Sequence, residues 1–179
     1  MITAIHTRRT FLIATLLLSL VACAAPTPYK AYFGDPLQDM QLATVQGRTF
    51  MRTELLNRYL DTVRFIEVDD IPVTNSDKHS AIQITPGYHD IRVYFSWDVG
   101  SLRGLAPAMV DYARTRDHIS RTLRFNARSG ERYTVMATPY FNDTRHDLTT
   151  LTHVDFWVID EDGNEIVSQE DGRYIPERE

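Results

Sequence analysis

The sequence predicts a mainly β protein: a single antiparallel β-sandwich of about seven to eight strands, with a short helix or helical loops, behind an N-terminal export segment. Three observations carry this. Short segments alternate apolar and polar residues with a period of two, as half-buried strands require. Pro86-Gly87, Arg128-Ser129-Gly130 and Asp162-Gly163-Asn164 punctuate them with turn residues. With 179 residues, 43% hydrophobic and 24% charged, the chain has the composition of one ordinary globular domain.

Residues 1–22 stand apart from that average. Arg8-Arg9 precede the apolar run from Phe11 to Ala22, which is too short for a permanent membrane helix and reads as a signal peptide. Its end, Leu20-Val21-Ala22-Cys23, resembles the lipobox of bacterial lipoproteins. Small residues fit the signal-peptidase groove there, and the Cys23 thiolate accepts a diacylglycerol group. Cys23 is the only cysteine, so it forms no disulfide within one chain. The alternative is an ordinary signal cleaved near Ala24-Ala25. A lipid-modified Cys23 with more than one acyl chain buries methylenes at about 0.8 kcal/mol each, enough for stable membrane anchoring.

Thr7-Arg8-Arg9-Thr10-Phe11-Leu12 also resembles a twin-arginine export signal, although the apolar stretch after it suits the general secretory route better. Ala24 and Ala25, with no Asp beside the cysteine, resemble lipoproteins sorted to the outer membrane and facing the periplasm. Removal of Arg8 and Arg9 takes nineteen basic residues to seventeen against twenty-four acidic, a net charge near −7. That balance disfavours nucleic acid as a partner. The basic run from Arg114 to Arg124 reads as the solvent face of a strand before it reads as a binding patch.

Residues 23–36, rich in proline and small side chains, read as the lipidated N-terminus and a tether, and residues 37–170 as the sandwich. Asp39 to Gly47 alternates enough for a first strand. Between Arg48 and Thr62, Phe50 or Met51, Leu55 and Tyr59 fall at helical spacing, with Val63 just beyond, which predicts a short helix or helical loop. Val63 to Val68 is a strand that ends in the acidic turn Asp69-Asp70.

Ala81 to Ile84 leads to Thr85-Pro86-Gly87, where proline presets one backbone angle and glycine tolerates the positive one that a type II turn demands. The strand after it sets Ile91, Val93, Phe95 and Trp97 on one face and Arg92, Tyr94, Ser96 and Asp98 on the other. Residues 99–118 read as an insertion. Ile119 to Ala127, the turn Arg128 to Gly130 and the return through Tyr133, Val135 and Ala137 predict a hairpin. Val154 to Asp160, Asp162-Gly163 and Glu165 to Ser168 predict another, before a flexible tail at residues 171–179.

Taken in order, Tyr32-Phe33-Gly34-Asp35-Pro36-Leu37, Leu42-Ala43-Thr44-Val45, Val68-Asp69-Asp70 and Thr85-Pro86-Gly87-Tyr88-His89 are landmarks, followed by Ala127 to Tyr133 and Trp157-Val158-Ile159-Asp160. This series resembles a group of small bacterial envelope lipoproteins distantly similar to PEGA-type modules. The resemblance covers most of the mature chain and implies an immunoglobulin-like or PEGA-like sandwich, but no catalytic residues. Asp70 stands where the group usually has glycine, and residues 99–118 lengthen one connection.

Candidate chemistry is sparse. His89 and Asp90 are consecutive on a strand and point to opposite faces, so His89 is expected to cap the turn made by Pro86 and Gly87. His153 and Asp155 share a face, with His146 in the preceding loop, and imidazole with carboxylate can ligate zinc or manganese. No second pair has ligand spacing, so no cofactor and no catalytic residue is expected. Asp160 to Glu165 lacks the length of a calcium loop and reads as a turn.

The expected function is that of a lipid-anchored envelope lipoprotein, a non-enzymatic binding or structural module for another envelope protein or a cell-wall glycan. The alternative is a periplasmic metal-binding or hydrolytic factor using His146, His153 and Asp155.

Overall fold

The computed structural model of the chain describes residues 27–54, 57–96, 119–143 and 150–176. The expected signal peptide, Cys23, Trp97, the insertion at 99–118 and His146 lie outside the described residues. What is described is mainly β, in two sheets packed face to face as a sandwich, with two isolated 3-10 turns at Asp39–Gln41 and Ser76–Lys78.

Sheet one runs β1 (Tyr29–Lys30), β6 (Ala81–Ile84), β2 (Ala43–Gly47), β9 (Arg132–Phe141), β10 (Leu151–Asp160) and β11 (Glu165–Val167), with β12 (Arg173–Tyr174) also on β10. Sheet two runs β3 (Thr49–Glu54), β4 (Asn57–Val68), β7 (Gly87–Ser96) and β8 (Ser120–Ala127), with β5 (Ile71–Pro72) on β4. Pairing is antiparallel except for β1 on β6 and β2 on β9.

Alternation explains the core. Val45, Ile82, Ile84, Val135, Val154, Phe156 and Val158 of sheet one face Val63, Phe65, Ile91, Val93, Leu123 and Phe125 of sheet two, all buried. The Phe125 and Tyr133 rings meet across the layers with centroids 5.0 Å apart. Each such side chain contributes roughly 1.5–3 kcal/mol when fully buried. Tyr94 departs from the alternation, being buried although its neighbours Val93 and Phe95 occupy the core face.

The helical reading of Arg48 to Thr62 is overturned, because Thr49–Glu54 and Asn57–Val68 pair as an antiparallel hairpin. Period two wins over 3.6 here: Phe50 packs inward on Phe95, while the cross-strand partners Met51 and Leu60 both stay exposed. The Thr49 and Thr62 hydroxyls meet at 3.2 Å across the pair, a contact suited to β-branched strand residues. The first strand also starts later than expected, at Ala43, because Met40 lies in the exposed 3-10 turn.

Two expected boundaries move as well. Tyr29 and Lys30, inside the expected tether, pair with Ile82 and Gln83, so β1 is the first strand among the described residues. Arg173 and Tyr174, inside the expected flexible tail, pair with Asp155 and Val154.

The expected hairpin at Arg128 to Gly130 has the right strands and a different partnership. β8 pairs with β7 in sheet two and β9 with β2 and β10 in sheet one, so the turn crosses between layers. Its backbone is held from outside: Gly130 N–H donates to the Leu42 carbonyl at 2.8 Å and the Ser129 hydroxyl to the Met40 carbonyl at 3.0 Å. Alternation reports which face of a strand is buried, not which strand lies beside it. The Asp162-Gly163 turn does join a hairpin, β10 with β11.

Chain crossings fix two more positions. Arg48 donates its N–H to Val135 O in sheet one and accepts from Val63 N in sheet two, each at 2.9 Å, so β2 passes into β3 at this corner. A Cβ on the adjacent Gly47 would stand 2.2 Å from Val63 O, which only glycine avoids.

Candidate functional site

One end of the sandwich carries an open, charged groove of about 710 Å³. The crossing turn after β8 forms one wall and the β10–β11 turn the other, because Tyr133 pairs with Asp160 in neighbouring strands. Arg124, Arg128 and Arg132 line the first side, Glu161 and Asp162 the second, with Tyr88 and Ile166 exposed at the mouth. Strand alternation puts Arg124 outward because Leu123 and Phe125 are needed in the core.

The three guanidinium groups are loosely held. Arg124 lies 3.5 Å from Asp90, Arg128 3.6 Å from Glu131 and Arg132 3.9 Å from Glu161, all with the arginine side chains mostly in solvent. Exposed pairs at such distances contribute about 0–1 kcal/mol. Their donors are therefore open to an incoming carboxylate or phosphate, which takes two parallel bonds from each planar guanidinium.

The floor is more rigid. Tyr133 donates its hydroxyl hydrogen to Glu131 at 2.7 Å and accepts from Arg128 N–H at 3.0 Å. Burial, then the bond to Glu131, raises its phenol above the ordinary tyrosine value. Asp160 accepts from Asn164 Nδ2 at 2.9 Å and from Asn164 N–H at 2.8 Å, and the side-chain bond first of all lowers its carboxyl pKa. This carboxylate closes the turn.

The sequence-predicted residues fall elsewhere. Pro86 and Gly87 connect β6 to β7, passing from sheet one to sheet two, with Gly87 at φ +130°. His89 Nε2 lies 2.7 Å from the Thr85 carbonyl and Nδ1 lies 2.6 Å from Asp69, while the Asp90 carboxylate turns outward toward Arg124. His89 and Asp69 thus fasten two connections at one end of the fold.

His153 and Asp155 do share a face, with His153 Nε2 3.8 Å from Asp155 Oδ2. Asp155 is buried, and Arg173 occupies both its oxygens, Nε donating to Oδ1 at 2.7 Å and Nη2 to Oδ2 at 3.1 Å. The Asp155 bond, then its charge, raises the Arg173 pKa further. A cation here would compete with that fork for both oxygens. His153 stacks instead on Tyr140, with ring centroids 4.4 Å apart at 12°. Among the described residues no group of three or more His, Cys, Asp or Glu could hold a metal ion.

Of the three groove arginines, only Arg124 belongs to the basic run that sequence reasoning weighed as a binding patch, while the groove's Arg128 to Gly130 and Asp160 to Asn164 were read as turns. Arg128 and Arg132 continue it at intervals of four, a regularity that extends through a turn and so matches no single element. Comparison with protein-family profiles, with curated proteins and with solved structures returns no match.

Proposed function

We propose that the chain is a lipid-anchored bacterial envelope lipoprotein, held at the outer membrane through Cys23 and facing the periplasm. Its β-sandwich is a non-enzymatic binding module. The observation that carries the reading is the groove: three loosely paired arginines, 124, 128 and 132, converge on it from β8, the crossing turn and β9. Support for the anchor comes from Leu20-Val21-Ala22-Cys23, whose cysteine stands six residues before Tyr29, the first strand-paired residue among those described.

The partner is another envelope protein or a cell-wall glycan that brings acidic groups to the arginines. Swapping a loose surface pair for a bidentate bond in the groove favours binding, because little stability is given up. Elsewhere the carboxylates Asp69 and Asp155 are engaged in fastening strands and turns, which accords with a binding rather than a catalytic role.

Crosslinking pull-down from native membranes tests this. A partner captured by the wild type and lost when Arg124, Arg128 and Arg132 are changed together to glutamate is the expected result. Equal capture by both proteins removes the groove from the function. Fractionation of a Cys23→Ser variant tests the anchor separately, and its retention in the membrane would contradict lipidation.

A further inference from the structure

The loop between β1 and β2 presents three large apolar side chains to solvent: Phe33 is 82% exposed, Met40 72% and Leu37 40%. Its backbone is tied down around them. Leu37 N–H donates to the Tyr32 hydroxyl at 3.1 Å, and Gln38 and Gln41 cap each other across the 3-10 turn. Gln83 Nε2 donates to Asp39 at 2.9 Å, and the Ser129 hydroxyl to the Met40 carbonyl. The Lys30 ammonium bonds the Gly34 carbonyl and sits 4.7 Å from the centre of the Tyr32 ring. Three apolar side chains held outward on a bonded loop offer a surface that an apolar environment stabilises.

The chain itself says what lies within reach. Cys23 precedes Phe33 by ten residues, a span of at most about 35 Å. We infer that this loop docks on the bilayer surface that carries the Cys23 lipid, seating Phe33, Leu37 and Met40 at the headgroup boundary with Lys30 beside them. The inference rests on the lipid-anchor reading. Three side chains are too few to hold a protein on a membrane; their contribution is to orient a domain that the lipid already retains. Met51, 66% exposed, and Leu60, 51% exposed, form a cross-strand pair on sheet two and provide a control of comparable exposure.

The test uses lipidated protein reconstituted into vesicles of phosphatidylethanolamine with phosphatidylglycerol. Acylation leaves no free thiol on the native chain, so Phe33→Cys, Met40→Cys and Met51→Cys each accept one environment-sensitive fluorophore. At positions 33 and 40 the emission should shift to the blue and be quenched by nitroxide lipids at least about twice as strongly as at 51. Equal quenching at all three positions overturns the docking.

The same labels on a Cys23→Ser mature chain, tethered by an N-terminal histidine tag to nickel-chelating lipid, read docking without the native lipid. Mass spectrometry of membrane-extracted protein reads acylation of Cys23 on its own. Unmodified Cys23 with strong quenching in the tethered chain refutes the anchor and keeps the docking; acylated Cys23 without preferential quenching does the reverse.

Discussion

His89 places its Nδ1 2.6 Å from Asp69 Oδ2 and its Nε2 2.7 Å from the carbonyl oxygen of Thr85. One imidazole thereby joins the turn after β4 to the connection that enters β7. A carboxylate and a carbonyl both accept, so both hydrogen bonds form together only when each ring nitrogen carries a hydrogen. Asp69 also accepts from Asp90 N–H at 2.9 Å, which registers the turn on the following strand.

His89→Ala should therefore cost about 1–3 kcal/mol, since it strips two acceptors of their partner in a site that is only partly wet. Urea unfolding of the two single variants and the double variant with Asp69→Ala measures the coupling. A cycle that is additive within about 0.3–0.5 kcal/mol would show that the pair stabilises nothing.

Asp70→Gly should stabilise the protein by roughly 1 kcal/mol. Asp69 and Asp70 sit at φ 50° and 64° between the paired residues Val68 and Ile71, as a tight hairpin turn with two left-handed centres requires. Glycine takes that conformation without the Cβ penalty of about 1–2 kcal/mol, part of which aspartate recovers locally. A lower urea midpoint for the variant would sink this account.

Gly172→Ala should be among the most damaging small substitutions in the chain. The added Cβ would stand 1.8 Å from the Phe156 carbonyl oxygen, against the backbone of β10, where no side-chain rotation relieves it. A loss of about 3 kcal/mol is expected, at the upper end for overpacking. Thermal melts of Gly172→Ala and Gly163→Ala separate crowding from backbone conformation, because a Cβ on Gly163 meets nothing within 4 Å and only its φ of +83° is strained.

Acid should loosen the β10–β11 turn before the core. Asp160 has its pKa lowered by Asn164, so its contribution is present above the unfolded carboxyl value and is lost as pH falls through the folded one. Chemical shifts of Asn164 followed from neutral pH downward should report that step. In Asp160→Asn the step should vanish, and its persistence would assign the transition to another carboxyl.

The layered β architecture was legible because Val45, Val63, Val93, Phe125 and Val154 fall on alternating faces, and every one of them is buried. Partnership was not legible. The Arg128 to Gly130 turn reads as a hairpin from its own residues, while its crossing depends on Leu42 and Met40, far away in the chain. Helical spacing misled at Phe50 to Val63 because Met51 and Leu60 are apolar yet exposed, which blurred the period. The groove was hidden for a related reason: its arginines come from β8, the crossing turn and β9, its acids Glu161 and Asp162 from the turn after β10, and only the sandwich brings them to one end. Asp155 looked like a ligand because Arg173, its actual partner, sits in a segment with the composition of a tail.

The parallel pairing of Tyr29 and Lys30 with Ile82 and Gln83 has a mechanical consequence. In a chain anchored through Cys23, any pull between membrane and domain enters through β1 along its own axis, loading its few hydrogen bonds in shear. A two-residue strand is the weakest link in that load path. Its release would free residues 29–38, a gain of less than about 35 Å of extended chain, while the buried strands stay folded. Under single-molecule force applied at Cys23, a short extension step should precede global unfolding, and Ala31→Pro, which removes the Ala31 N–H bond to Gln83 O, should lower the force at which it occurs. A chain anchored in that way would then carry its own shock absorber, set between its anchor and its core.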